Sequence, residues 1–513
     1  MLKCSHLTLT LPDGRVLLSD LSFSVQDKDH LALVGEEGDG KSTLLKIIAG
    51  ETPDYVRITG SFYTDWKMGY LPQQIPACWK DQTPLDYLLK EHPEEEIDPA
   101  AWSLCGQMEE AARKTGLRAE LLYEERSVSS FSGGEKVRLA LTKVLLGQPD
   151  CFLLDEPAND LDLDALLWLE NWIVNSDKPI LFISHDIRLL ERCAERILHL
   201  ELRNKKTKPV WTLFTGSWKE YLSRRKANRE KEFQVAASEK REYAKQKQRL
   251  NDLANKVEHS LRTLSRQAPH KGQVLKKKMK AVRSSQQALE EQSYSRTDSV
   301  EEAAGFLLPH TPFPAGKKLI DETLEITMDE RVLIEPFVLS LYGPVRMVFI
   351  GANGCGKTTL LKDLFSRLQD RTDLKAGWMP QDYDSAFEAD ETPVSFLLRI
   401  CPDLSLVQTR LGSMRFLASE MNQSVFKCSG GQKAKLILAS LVLQECNVLL
   451  LDEPTRNLSA LSVGVLCEAL QDSPAAILAV SHDRAFMEAL FTEKGVIENR
   501  RFHIEPILPT EQK

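Results

Sequence analysis

At 513 residues the chain is too long for one hydrophobic core, since single cores stop growing near roughly 250–300 residues. Its 42% hydrophobic and 27% charged residues exclude a collagen-like, disordered or disulfide-stapled chain, and none of its ten cysteines forms a C-x-x-C pair, which argues against a zinc ribbon or iron–sulfur cluster. The formal charge of −8 hides an asymmetry: residues 219–298 hold 21 Lys and Arg against 10 Asp and Glu, an excess of 11 positive charges, so a basic segment joins two acidic bodies.

The opening MLKCSHLTLTLPDG lacks the apolar core of a signal peptide, and no apolar run approaches the roughly 20 residues of a membrane span. The expectation is a cytoplasmic protein with reduced thiols that does not cross a membrane. The first informative element is LALVG, residues 31–35, a short apolar run that reads as a strand buried on both faces of a parallel sheet. It runs into GEEGDGKST, residues 35–43, and then a helix-compatible LLKII. GYLPQQ (69–74), FSGGEKVRLAL (131–141), CFLLDEPANDLD (151–162) and FISHD (182–186) follow.

From about Lys219 the composition turns to Ala, Glu, Lys, Arg and Gln, all good helix formers. Tyr243, Leu250, Val257 and Leu264 fall at seven-residue spacing, joined by Leu253 and Leu261. After a break at Ala268-Pro269-His270-Lys271-Gly272 the same period returns at Leu275, Val282 and Leu289. Two heptad stripes around one breaker predict an antiparallel helical hairpin with its tip near 265–272. A disordered charged linker is the blander alternative.

Beyond it the first half repeats. GANGCGKTT (351–359), GWMPQD (377–382), CSGGQKAKLIL (428–438), VLLLDEPTRNLS (448–459) and AVSHD (479–483) match the five earlier motifs in the same order. The predicted architecture is α/β: a domain over 1–215, the basic helical linker over 216–305, and a duplicate domain over 306–513.

G-x-x-x-x-G-K-[ST] after a strand is a phosphate-binding loop, because glycines let backbone N–H groups crowd around phosphate oxygens at a helix N-terminus. Gly35, Gly38, Gly40 and Gly351, Gly354, Gly356 shape the two loops, followed by Thr43 and Thr359 at the helix starts. Lys41 and Lys357 reach β- and γ-phosphates, and Ser42 and Thr358 bind Mg²⁺. Asp155 and Asp452 can hold the magnesium shell through water, while Glu156 and Glu453 can orient or deprotonate an attacking water. His185 and His482, each within Ser-His-Asp, are candidates for the γ-phosphate.

This set and order of motifs resembles the ATP-binding-cassette ATPases over nearly the whole chain. The resemblance implies a head-to-tail pair of cassettes sandwiching two ATP molecules, with Lys41 facing Ser429-Gly430-Gly431 and Lys357 facing Ser132-Gly133-Gly134. Gln73 and Gln381 match the glutamines that meet nucleotide and metal. Two cassettes in one chain, joined by a basic helical linker, resemble the ABC-F subfamily. For that subfamily the linker is a P-site tRNA interaction motif, and the partners implied are the ribosome (50S and 70S, through rRNA) and P-site tRNA. The resemblance also implies a monomer whose cassettes form an intramolecular dimer. Glu453-Pro454-Thr455-Arg456-Asn457-Leu458-Ser459 is similar to the matching stretch of Vga-, Lsa- and Vml-type antibiotic-resistance proteins, where housekeeping members keep an aspartate at the place of Ser459.

Several residues depart from the family pattern. Glu37 stands where asparagine is common and, with Glu36 and Asp39, makes the first loop acidic. Leu11 takes the approximate place of an adenine-stacking aromatic, and Phe131 and Cys428 replace a leucine. The expected function is a ribosome-bound ATPase that protects against antibiotics. A housekeeping factor for stalled ribosomes is the nearest alternative, and the ATPase component of a membrane transporter a more distant one, since it leaves the basic hairpin without a role.

Overall fold

The computed structural model describes all residues except 54, 160, 162, 204–207, 263–268, 292–310, 329–330, 415, 457 and 508–513. The chain divides into two compact units, Met1–Lys219 with Glu301–Lys513, and Glu220–Val300.

The larger unit contains the duplicated α/β domains. In the first, β1 (Leu2–Thr10), β2 (Val16–Val25) and β4 (Arg57–Thr64) form an antiparallel sheet in the order β2-β1-β4. The second sheet is six-stranded, with β3 (His30–Val34), β5 (Met68–Leu71), β6 (Cys151–Asp155), β7 (Ile180–Ile183), β8 (Arg196–Leu202) and β9 (Lys208–Thr215) in the order β5-β6-β7-β3-β8-β9. Pairing is parallel from β5 to β8 and antiparallel for β8 with β9. The second domain repeats the plan. β10 (Lys318–Met328) pairs with β11 (Arg331–Tyr342), and β12 (Arg346–Gly351), β13 (Ala376–Met379), β14 (Val448–Asp452), β15 (Ala476–Val480), β16 (Glu493–Glu498) and β17 (Arg501–Pro506) lie in the order β13-β14-β15-β12-β16-β17.

Every residue of β3, β6, β7, β14 and β15 is buried, which is why these strands read as unbroken apolar runs. In each sheet the three strands that carry chemistry are neighbours, in the orders β6-β7-β3 and β14-β15-β12. Because they are parallel, the loops leaving their carboxyl ends share one edge of the sheet, where α/β proteins bind ligands. Leu31, Leu33, Leu153, Leu181 and Ile183 fill the first core beneath that edge.

The domains meet within this unit. Arg484 of the second donates to the buried Glu170 of the first, and Arg188 pairs with Glu488. Ile187 of the first domain packs against the second domain's apolar core, the cluster that contains Cys467.

The smaller unit holds two helices, Trp218–Arg262 (beginning just before the unit) and Pro269–Glu291. The first, 45 residues long, measures about 68 Å at about 1.5 Å per residue. Asn251 Oδ1 accepts from Gln286 Nε2 at 2.9 Å, joining the helices. Val257 and Val282 are buried, Tyr243, Leu250 and Leu275 half-buried, and Leu253 is exposed, so the stripe is narrower than the heptads suggest. Pro269 opens the second helix rather than closing the first, a position where its missing N–H is no loss. Gly272 therefore lies inside a helix. Leu264 and the tip residues Arg266 and Gln267 lie outside the described residues, as do the side chains of Leu261, Pro269, His270 and Leu289.

Candidate nucleotide sites

Both phosphate loops are built as their spacing requires. Gly40 (φ 89°) and Gly356 (φ 103°) adopt left-handed backbone just before the helices Lys41–Ile48 and Lys357–Gln369, a conformation costly for other residues. A Cβ on Gly35 would stand 2.5 Å from the Leu200 carbonyl oxygen, and one on Gly351 2.6 Å from that of Ile497. Lys41 Nζ donates to the carbonyls of Gly35 (2.9 Å) and Glu36 (2.8 Å), and Lys357 Nζ to those of Gly351 (2.8 Å) and Ala352 (3.0 Å). Each ammonium is thus held within the curve of its loop, with Gly38 or Gly354 at the crest and Thr43 or Thr359 in the first helical turn.

Asp155 and Asp452 end β6 and β14. Ser42 donates to Asp155 at 2.9 Å and Thr358 to Asp452 at 3.3 Å, so each hydroxyl–carboxylate pair is assembled from a helix start and a strand end. The second oxygen differs between halves. Tyr70 OH donates to Asp155 Oδ2 at 3.2 Å, whereas Trp378 takes Tyr70's place and, among the described residues, the buried Asp452 Oδ2 has no hydrogen-bond partner. Such an orphaned buried acceptor fits a hydrated divalent cation, as the paired hydroxyl does.

Glu156 and Glu453 follow with φ of 50° and 49°, and their N–H groups donate to the last residues of β7 and β15, Ile183 (3.1 Å) and Val480 (2.9 Å). Glu156 is enclosed by donors: Gln73 Nε2 at 2.9 Å, Asn159 Nδ2 at 2.6 Å and His185 Nε2 at 2.8 Å. Burial pushes its carboxyl up, but the His185 contact, Lys41 and Asn159 outweigh it and hold the group down at about 2. Glu453 has His482 Nε2 only at 3.7 Å. Burial and the Asp452 charge push its carboxyl up to about 8. The carboxyls of two residues in equivalent places are thus shifted in opposite directions.

Ser132 and Ser429 cap the helices Gly133–Leu146 and Gly430–Leu443 through reciprocal boxes with Glu135 and Gln432, fixing Gly133, Gly134, Gly430 and Gly431 in the first turns. Gly431 N–H donates to Glu37 Oε2 at 2.9 Å, so the helix Gly430–Leu443 of the second domain faces the first phosphate loop. At the other site a cavity of 740 Å³ is lined by Asn353, Lys357, Gln381, Asp452, Glu453 and His482, with Asn159 and His185 contributed by the first domain. Gln73 meets Glu156, while Gln381 lines this cavity.

Sequence reasoning missed Tyr70, Asn159, Glu170 and Arg484. The Tyr–Trp difference within the paired GYLPQQ and GWMPQD motifs was the available signal for the first of these.

Two phosphate loops, each facing a hydroxyl–carboxylate pair and a buried glutamate, define a tandem nucleoside-triphosphate hydrolase. The family model described as ABC transporter matches residues 18–159 and 335–456. The chain belongs to that family, is of its ABC-F type, and is an ATPase. It is similar to YheS of Escherichia coli K12, named as a probable ATP-binding protein, at 28% identity over 96% of this chain and 78% of that one. It is also similar to ABC transporter F family member 2 of Arabidopsis thaliana, at 26% identity over 95% and 75%. Among solved structures, an archaeal ribosome recycling factor, aABCE1, in complex with ribosomal stalk protein aP1 shares the fold, with a TM-score of 0.61 and 18% identity over 99% of this chain and 90% of that one. Among the described residues no helix is long and apolar enough to cross a membrane.

Proposed function

We propose that this ATPase works on the ribosome in the cytoplasm, placing its linker as a helical hairpin at the tRNA exit site, toward the peptidyl transferase centre, and protecting the ribosome from antibiotics. The observation that carries the reading is the linker itself: two helices with an excess of 11 positive charges over residues 219–298, between two nucleotide-binding domains. Lys276, Lys277, Lys278 and Lys280 are exposed along the second helix, as contact with rRNA or P-site tRNA phosphates requires. The solved relatives named as ribosome factors, and the similarity of 453–459 to resistance proteins, support the same reading.

In this reading Lys41 and Lys357 take β- and γ-phosphates of ATP, with Gly35, Gly38, Gly40, Gly351, Gly354 and Gly356 supplying the curve of backbone. Ser42 with Asp155, and Thr358 with Asp452, hold Mg²⁺ at their respective sites, where it offsets phosphate charge; Gln73 and Gln381 stand at the edge of each shell. Glu156 and Glu453 orient the attacking water, His185 fixes the Glu156 carboxylate, and His185 and His482 face the γ-phosphate. Ser132-Gly133-Gly134 and Ser429-Gly430-Gly431 close on the phosphates from the opposite domain.

Co-sedimentation of the Glu156→Gln/Glu453→Gln protein with 70S ribosomes and isolated 50S subunits in ATP tests the reading. Retention on ribosomes, with drug susceptibility lowered by the wild-type protein, is expected. Ribosome retention without any change in susceptibility would instead favour a housekeeping translation factor, and no retention would overturn both.

A further inference from the structure

The first phosphate loop reads Gly35-Glu36-Glu37-Gly38-Asp39-Gly40-Lys41, where the second reads Gly351-Ala352-Asn353-Gly354-Cys355-Gly356-Lys357. Three carboxylates around a phosphate site look self-defeating, since like charges repel. The structure gives each a different task. Asp39 is buried, and its Oδ2 accepts from the Glu36 N–H at 2.7 Å, closing the loop on itself. The other two reach the second domain. Glu37 Oε2 accepts the Gly431 N–H at 2.9 Å. Glu36 Oε1 accepts from Ser462 Oγ at 2.9 Å and Ser459 Oγ at 3.3 Å, and its Oε2 lies 3.5 Å from Lys435 Nζ.

These donors belong to two helix starts. Gly431 lies in the first turn of Gly430–Leu443, and Ser459 caps Ala460–Asp472. Helix starts favour anions, whether the anion is a carboxylate or a phosphate. A triphosphate held by Lys41 would present its terminal phosphate to the helix start that Glu37 already occupies.

We propose that Glu36 and Glu37 form an internal anionic latch, in which Glu37 competes with the terminal phosphate of a nucleoside triphosphate at the first site. The first site therefore prefers the diphosphate more strongly than the second, whose loop carries Ala352 and Asn353 at the equivalent positions. Closure of the domains at the first site depends less on nucleotide, and sensing of the triphosphate falls to the second. Ser459 is part of the device, because a serine there supplies Glu36 with a hydroxyl donor where an aspartate would repel it.

The proposal rests on reading the Lys41 loop as a nucleotide site, and the test separates the two. Fluorescent ATP and ADP are titrated into the full-length Lys357→Ala protein, so that binding reports the first site, with added Lys41→Ala as the control for that site. Glu37→Asn, the residue the second loop already uses, should tighten ATP about five- to tenfold, just below the range of a charge-assisted hydrogen bond because Glu37 is exposed. ADP should change less than about twofold, since it lacks the competing phosphate. An unchanged ATP-to-ADP ratio overturns the latch. Absence of Lys41-dependent binding overturns the site assignment and the latch together. Should Glu37→Asn fail to fold, Ser462→Ala in the other domain removes one anchor of Glu36 and must raise the ratio in the same direction; no change there also overturns it.

Discussion

Glu170 of the first domain and Arg484 of the second form an ion pair across the domain junction, with Glu170 only 1% exposed and a second guanidinium, Arg192, at 2.9 Å. By the internal repeat, Cys467 stands at the place of Glu170 and Ile187 at the place of Arg484. Ile187 packs against the apolar cluster that includes Cys467, so the two symmetry-related contacts are ionic on one side and apolar on the other.

Removing one partner of a buried pair strands the other charge. Arg484→Ala should lower stability to urea by about 2 kcal/mol, less than a full orphaning because Glu170 keeps Arg192. The Glu170→Leu/Arg484→Met double variant should recover most of that loss. Equal damage from both would mean the pair contributes through its shape rather than its charge.

Glu156→Gln and Glu453→Gln keep the size of the side chain and one acceptor oxygen, but replace the other by an NH₂ and remove the carboxylate proposed to organise water. Together they should lower turnover by roughly 10²–10⁴-fold while ATP affinity stays within about threefold. Turnover near the wild-type rate in the double variant would dismiss both residues from catalysis.

The two sites should answer pH differently. Glu156 is held down at about 2, so the first site, isolated in Glu453→Gln, should show a flat rate from about pH 6 to 9. Glu453 is pushed up to about 8 and must ionise to act as base. The second site, isolated in Glu156→Gln, should therefore gain rate as pH rises and level off above about 8. Superimposable profiles would show that the donors around Glu156 do not set its working charge.

Tyr70 spends its hydroxyl on Asp155, where Trp378 leaves the Asp452 oxygen to other partners. Tyr70→Phe should make the first site resemble the second. Mn²⁺ bound with ATP, followed by paramagnetic resonance in a Lys357→Ala background, should tighten about three- to fivefold, the order of one modest hydrogen bond. No tightening would assign Tyr70 a packing role alone.

If the linker meets RNA, ribosome affinity should fall with salt at a log–log slope of about 0.7–0.9 per phosphate neutralised. Replacing Lys276, Lys277 and Lys278 by Gln should flatten the slope by about two to three units while leaving ATP turnover off the ribosome intact. A slope unaffected by the three changes would move the RNA contact elsewhere on the chain.

What could be read from the sequence was whatever local spacing enforces. Gly40 and Gly356 need left-handed backbone immediately before a helix, so their places are written in adjacent letters, and the same holds for Ser132 and Ser429 with their capping partners three residues on. Buried parallel strands announced themselves because both faces are apolar. Relations across the fold left no such trace. Tyr70 meets Asp155 only through the pairing of β5 with β6, and Arg484 finds Glu170 only when the two domains associate. Glu36 and Glu37 looked repulsive as a string of letters because their partners, Gly431 and Ser462, lie some 400 positions further along the chain.

Glu156 and Glu453 both sit in left-handed backbone, which costs a residue with a side chain about 1 kcal/mol or more. Glycine at either place would relieve that strain, so a chain drifting without need of the carboxylate has a downhill route to losing it. The two halves have diverged at nearby positions, with Tyr70 against Trp378 and Glu37 against Asn353, yet neither has taken that route. Each half carries a glutamate in backbone that favours glycine, and the duplication serves as its own control. If both carboxylates are needed for hydrolysis, glycine at either place should raise stability while abolishing turnover at that site.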